Sequence, residues 1–249
     1  MGLFGNLFGK RAAAMAPAEL AVLGADMHSH FIPGIDDGAP TMEASLELIA
    51  AMADLGYRKV ITTPHVMADG YRNSPARILA GLEQVRAAVK AAGIPVEVEA
   101  AAEYYLDHEL ENKVTTGEIL TFGDRHVLFE LPFISEPHIL LSVVFAMQTQ
   151  GYRPVLAHPE RYGFWYADTS MPQKLKERGV LFQLNTVALM GAYGPQARKA
   201  AEKYIDLGWY ELLGSDCHKM DHIHAIRATL TEPYLHKLLA SGRLINHTL

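Results

Sequence analysis

From residue 26 onward, short runs of β-forming residues alternate with longer stretches of helical period, and this alternation restricts the fold more than any other feature. Seven runs read as strands: Asp26–His30, Lys59–His65, Val96–Glu103, His126–Glu130, Pro154–His158, Val180–Asn185 and Tyr210–Asp216. Between them Met42, Leu46, Ile49 and Ala53 recur at three- and four-residue steps, as do Ile78, Leu82, Val85 and Val89, each series marking the apolar face of a helix. Ser74 followed by Pro75 reads as a helix start, because the serine hydroxyl accepts from free amides and proline at the first helical position forfeits no hydrogen bond. Gly56, Gly93, Gly151, Gly179 and Gly208 each close a helical run. Strict alternation predicts parallel pairing, so the expected class is α/β. Seven units over about 220 residues point to one closed or nearly closed barrel rather than two domains.

The expected domain covers residues 25–249, behind an N-terminal arm and linker over 1–24. In that arm the basic pair Lys10-Arg11 follows two Leu-Phe-Gly repeats, the reverse of a secretory signal, so the stretch reads as a mobile arm. The longest apolar run, near Ile139 to Met147, is about half of what a membrane helix needs. A single cysteine suits a reducing compartment. These features predict a cytoplasmic protein without stable membrane insertion. The net charge of −6 argues against a nucleic-acid partner, which would favour a basic surface.

In barrels of this type the chemistry sits at the C-terminal ends of the strands. Read to their ends, the runs deliver His28 and His30, then His65, Glu103, Glu130, His158, and finally Asp216 with His218; only the sixth ends without a metal-ligand residue type. Asp37 adds another from the loop after the first strand. Residues two apart on a strand share a face, so His28 pairs with His30 and Asp216 with His218. Carboxylates gathered in one mouth repel each other unless cations neutralise them. Nine candidate ligands exceed one tetrahedral zinc and suit two or three divalent ions, with mixed oxygen and imidazole donors favouring Mn, Fe or Zn over Ca. Such clusters make hydroxide available near neutral pH and clamp an in-line displacement, so phosphate-ester hydrolysis is the expected reaction. Arg161, three residues beyond His158, carries the planar fork that binds phosphate. Cys217 alternates away from the face of Asp216 and His218, and Ile223 stands where a cysteine phosphatase would need arginine, so it reads as a packing residue. His222 and His224 are close enough to the last ligand strand to line the mouth, while the other unassigned histidines read as surface or capping residues.

The motifs Asp26-Met-His-Ser-His30, Pro33-Gly-Ile-Asp-Asp-Gly38, Thr63-Pro-His65, Ala102-Glu103-Tyr104-Tyr105, Leu128-Phe-Glu130, Ala157-His-Pro-Glu-Arg-Tyr162 and Gly214-Ser-Asp-Cys-His218 occur in order. Together they resemble the polymerase-and-histidinol-phosphatase (PHP) superfamily, and within it the bacterial capsule and exopolysaccharide tyrosine phosphatases. The resemblance implies a distorted (β/α)7 TIM-like barrel with a site for three divalent ions, Mn foremost and Fe or Zn as alternatives. Carried over by motif, one ion would be held by His28, His30, Glu103 and Asp216, a second by Glu103, Glu130 and His158, and a third by Asp37, His65 and His218. Arg161 would bind the phosphoryl group as the catalytic cation. The implied substrate is a phosphotyrosine protein, a membrane tyrosine autokinase of polysaccharide export, attacked by a metal-bridging hydroxide. The stretch Lys219-Met-Asp-His-Ile-His224 offers no match to a second family arginine. Competing readings are a histidinol-phosphate or other small-molecule phosphatase and a catalytically silent metal-bound module docking on a kinase. An amidohydrolase would need a barrel lysine, and neither Lys59 nor Lys113 ends a strand.

Overall fold

The computed structural model describes residues 15–249. The arm read over Met1 to Arg11 lies outside the described residues. Packing begins before residue 25: Leu20 and Leu23 are buried, and Ala18 N–H donates to Leu230 O.

In chain order the elements are β1 (Ala25–Asp26), α1 (Met42–Asp54), β2 (Lys59–Thr62), β3 (His65–Val66), α2 (Pro75–Ala92), β4 (Glu97–Ala100), β5 (Glu103–Tyr105), α3 (Leu110–Thr116) and β6 (His126–Glu130). They continue as α4 (Leu140–Thr149), β7 (Arg153–Ala157), α5 (Ser170–Glu177), β8 (Leu181–Asn185), α6 (Pro195–Asp206), β9 (Tyr210–Gly214), α7 (Met220–Thr229) and α8 (Pro233–Ala240). The α2 boundaries follow the local chemistry: Ser74 Oγ accepts from Arg77 N–H at 3.2 Å, Pro75 opens the helix, and Gly93 closes it at φ 68°. Ile78, Leu82, Val85 and Val89 are its buried face, as the period requires.

Every strand pair is parallel, and the strands fall into two sheets, β1-β2-β4 and β3-β5-β6-β7-β8-β9. Two of the seven expected strands are therefore each broken in two, and a continuous seven-stranded wall is not what the ladders describe. The break has a chemical cause. Pro64 has no N–H to give to a ladder, and the two threonines before it bond through their side chains instead. Thr62 Oγ1 donates to Ser29 O at 3.1 Å and accepts from Phe31 N–H at 2.9 Å. Thr63 N–H reaches Ser29 O at 2.6 Å. The strand begun by β1 thus continues toward His30 without regular pairing. On its other side it is tied to the last strand, through a parallel bridge between Ser29 and Cys217 and through Asp216 N–H donating to His28 O.

The main core brings together residues of strands and helices; a smaller apolar cluster, including Met27, Ile61, Leu128, Val155 and Leu212, is drawn mostly from the strands of both sheets. Among the described residues no helix is long and apolar enough to cross a membrane.

Candidate metal and phosphate site

All nine ligand candidates from the sequence lie at one end of the sheets, around or beneath an open cavity of about 630 Å³. Three groups have ligand atoms close enough to share an ion: His28, His30, Glu103 and Asp216; His30, Asp37, His65 and His218; and His65, Glu103 and Glu130. The first coincides with the expected set. The second is the expected Asp37, His65 and His218 with His30 added. In the third, His65 stands where His158 was expected; His158 Nε2 is nonetheless 3.1 Å from Glu103 Oε1 and 3.9 Å from Glu130 Oε2.

The backbone bends sharply to present these groups. His158 and Asp216 both have positive φ, 34° and 49°, unusual for residues with side chains and typical of strain retained at functional sites. Gly38 is required by close approach: a Cβ there would run into the carbonyl oxygen and Cβ of His30.

The orientation of the rings is the most telling feature. His28 Nδ1–H donates to Gln183 Oε1 at 2.9 Å, His30 Nδ1–H to Asp36 Oδ2 at 2.8 Å, and His218 Nδ1–H to the Asp216 carbonyl at 2.9 Å. Each bond leaves Nε2 as the lone-pair nitrogen. Those Nε2 atoms face carboxylates: His28 reaches Glu103 at 3.1 Å and Asp216 at 3.4 Å, and His30 reaches the same two at 3.5 Å. His218 Nε2 is 3.5 Å from Asp37. The Nε2 atoms of His28 and His30 are themselves 3.4 Å apart. Glu103 Oε2, wholly buried, has no hydrogen-bond partner, and neither does His65 Nδ1 beside it. Lone pairs converging on lone pairs in a buried space call for a cation between them, so the donor set fits divalent ions.

Where no ion is present, protons take that place. Burial opposes a charge on His28, yet Glu103 and Asp216 outweigh it and push its pKa up to about 9. Burial is likewise overridden at His30, raised well above the usual imidazole range by the neighbouring carboxylates of Asp216, Asp36 and Glu103. Glu103 and Asp216 are held well below the carboxylate range despite burial, Glu103 chiefly by His28 and His65, Asp216 chiefly by His28 and His30. Asp37 falls to about 2 through its bond with His218.

Arg161 lies at the wall of the cavity and pairs with Asp216 rather than with its neighbour Glu160, its Nη1 donating to Asp216 Oδ2 at 3.1 Å. The guanidinium is sandwiched between Phe133, 4.7 Å from its carbon, and Tyr193, at 4.2 Å. Its Nε and Nη2 make no hydrogen bond to the described residues. Tyr71 and Tyr105 add to the aromatic lining, and Lys219 and His222 bring further nitrogen donors. Cys217 is buried in the core, where burial pushes its thiol pKa far up, and it does not line the cavity.

Sequence reasoning missed the groups that orient the ligands: Asp36, Gln183, and Asn185, whose Nδ2 donates to Asp216 Oδ2 at 2.8 Å. The clue was present in the one strand without a terminal ligand, which supplies Gln183 and Asn185 instead. Phe133 and Tyr193 left no comparable signal. Of the two histidines expected near the mouth, His222 lines it and His224 does not. His126, expected on the surface or at a cap, is buried against Phe122 at the opposite end of the strands.

Residues 24–235 match the family described as capsular polysaccharide synthesis, CpsB/CapC. The chain is 29% identical over 196 residues to the tyrosine-protein phosphatase YwqE of Bacillus subtilis, spanning 78% of this chain and 77% of that protein. It is 25% identical over 202 residues to the tyrosine-protein phosphatase CpsB of Streptococcus pneumoniae, spanning 79% and 83%. A chain from the crystal structures of YwqE from Bacillus subtilis and CpsB from Streptococcus pneumoniae, described as unique metal-dependent tyrosine phosphatases, superposes with a TM-score of 0.79 at 26% identity, covering 89% of this chain and 89% of that one.

Proposed function

Since the chain belongs to the CpsB/CapC family of capsular polysaccharide synthesis proteins, we propose that it is a metal-dependent protein-tyrosine phosphatase. The convergence of inward-facing Nε2 atoms on buried carboxylates beside an arginine with free donors carries this reading. In this proposal residues 25–249 are the catalytic domain, and the broken sheets form one distorted (β/α)7 barrel whose sides are joined through Ser29 and Cys217.

His28, His30, Glu103 and Asp216 would hold one divalent ion, Glu103, Glu130 and His158 a second, and Asp37, His65 and His218 a third; Mn suits this mixed set, with Fe or Zn as alternatives. When bound, the ions supply Lewis-acid polarisation and an activated water for in-line displacement at phosphorus. The chain itself does the rest. Glu103, common to the first two sets, would be shared between their ions. Asp36 and Gln183 hold the His30 and His28 rings with Nε2 facing inward. Arg161 binds the phosphoryl oxygens with Nε and Nη2 while Asp216 retains Nη1. Phe133, Tyr193, Tyr71 and Tyr105 give the mouth aromatic walls that suit a phosphorylated phenol. A phenol of pKa about 10 leaves as its anion more readily than an alkoxide, so an aryl phosphate demands less of a general acid. The substrate in this reading is a phosphotyrosine protein in the cytoplasm, a membrane tyrosine autokinase.

One purified sample tests the reading. Elemental analysis gives the metal content, and turnover is compared for a phosphotyrosine peptide, histidinol phosphate and an alkyl phosphate. Metal-dependent preference for the peptide is expected. Preference for histidinol phosphate would make the protein a small-molecule phosphatase, and metal without any turnover would leave a silent module.

A further inference from the structure

We propose that Tyr193 is a positioning residue that aims Arg161, acting through a closed ring of contacts completed by Asn185; the proposal rests on the phosphatase reading above. Asn185, the last residue of β8, is buried, and all its side-chain polar atoms are engaged. Its Oδ1 accepts from Val187 N–H at 3.3 Å, while Nδ2 donates both to Tyr193 Oη at 2.9 Å and to Asp216 Oδ2 at 2.8 Å. Arg161 Nη1 donates to that same Asp216 oxygen, and the Tyr193 ring lies 4.2 Å from the guanidinium carbon. Asn185 therefore fixes both surfaces that the guanidinium rests on, the carboxylate at its edge and the ring at its face.

A free arginine samples many rotamers, and an anion must wait for the right one. Here a single hydrogen bond leaves rotation about its own axis open, and a ring against the flat face removes it. Phe133 covers the other face at 4.7 Å but has no polar anchor and is partly exposed. Tyr193 is the member of the sandwich whose position the protein holds, with its hydroxyl bonded inward and its ring turned to the cavity. The short loop that carries it runs from Gly191 to Gly194, both at positive φ, between the 3-10 turn Thr186–Met190 and α6.

Because Tyr193 also lines the cavity, it could instead touch the substrate directly, and the two roles differ in their dependence on Arg161. The test measures inorganic phosphate binding to the metal-loaded protein by calorimetry, together with kcat and KM for a phosphotyrosine peptide and the metal content of each variant. The proteins compared are wild type, Tyr193→Ala, Tyr193→Phe, Arg161→Ala and the Tyr193→Ala/Arg161→Ala double variant. Tyr193→Ala is expected to weaken phosphate binding about ten-fold, the scale of a partly desolvated cation–π contact, and to retain its metal. Tyr193→Phe keeps the ring but loses its anchor to Asn185, so an intermediate loss of phosphate binding is expected. In the absence of Arg161 the Tyr193→Ala change should cost nothing further. The proposal is overturned if Tyr193→Ala binds phosphate like wild type, weakens it equally without Arg161, or loses metal. Should wild type fail to hydrolyse the peptide, the phosphatase reading falls while the phosphate titrations still decide the role of Tyr193.

Discussion

Asp36 is the group whose removal most directly tests how the site is built. Its Oδ2 accepts from His30 Nδ1 at 2.8 Å and from His65 N–H at 3.1 Å, and its Oδ1 accepts from Gly38 N–H at 3.0 Å. Three donors thus converge on one carboxylate, which burial would push up but which the His30 bond and charge hold below the usual range. Asparagine has the same shape but no charge and one acceptor oxygen, so its amide must face at least one of these N–H groups, and His30 loses the charge that helps fix its tautomer. Removing an orienting partner of this kind costs about 10- to 100-fold in metal affinity, or about 1.4–2.8 kcal/mol. His30 belongs to two of the three ligand groups, so the upper half of that range is expected. Competition titration against a chelator, followed by elemental analysis after dialysis, reads the loss. Thermal unfolding of the metal-free forms checks that Asp36→Asn remains folded. Unchanged metal affinity in a folded Asp36→Asn protein would refute the idea that His30 is held in register by this carboxylate.

Arg161→Ala should retain its metal and lose about 100-fold or more in turnover, the scale for removing a charged donor to the reacting group; a steady-state assay with wild-type rates would end its clamp role. His28→Ala or Asp216→Ala should lose metal and activity together, because each removes one donor from the buried set of His28, His30, Glu103 and Asp216; elemental analysis that still finds full occupancy contradicts the assignment. Cys217→Ser should stay active and insensitive to thiol reagents, as its buried, high-pKa thiol predicts, and an inactive but folded variant would point to a covalent route. The pH dependence of stability should differ with metal. In the metal-free protein His28 titrates near 9 against about 6.5 unfolded, so the folded state holds the extra proton; that stabilisation is complete below about pH 6.5 and lost as pH rises through 9. Glu160, raised by burial to about 7, acts in the same direction at lower pH. Metal competes with the His28 proton and binds more tightly as pH rises. Urea midpoints across pH 6.5–9, with chelator and with metal, should therefore diverge, and a metal-free midpoint that climbs over this window would be inconsistent with the geometry.

Much of the site was legible because a strand's end is a one-dimensional property. Once alternation identifies parallel strands, position along each run tells which residues reach the catalytic face, and His28, His30, His65, Glu103, Glu130, His158, Asp216 and His218 follow by counting. The Asp37 loop and Arg161 were within reach for the same reason, each being a few residues beyond a strand. Family membership was likewise carried by short motifs in fixed order.

Which nitrogen of each ring faces the site was decided only by the tertiary structure. It depends on acceptors distant in sequence, as with His28 and Gln183, 155 residues apart. Spacing within one strand says nothing about a partner on a distant strand. The break at Thr62-Thr63-Pro64 had the same origin: threonine hydroxyls replace ladder bonds only because Ser29 and Phe31 lie opposite them. The sandwich around Arg161 joins side chains from the loops after β6, β7 and β8, and no periodic pattern links them. Alternation and residue type determined which groups could meet at one end of the sheet. Long-range hydrogen bonds and packing decided how they are turned, and that orientation makes a cluster of histidines and carboxylates a place for cations.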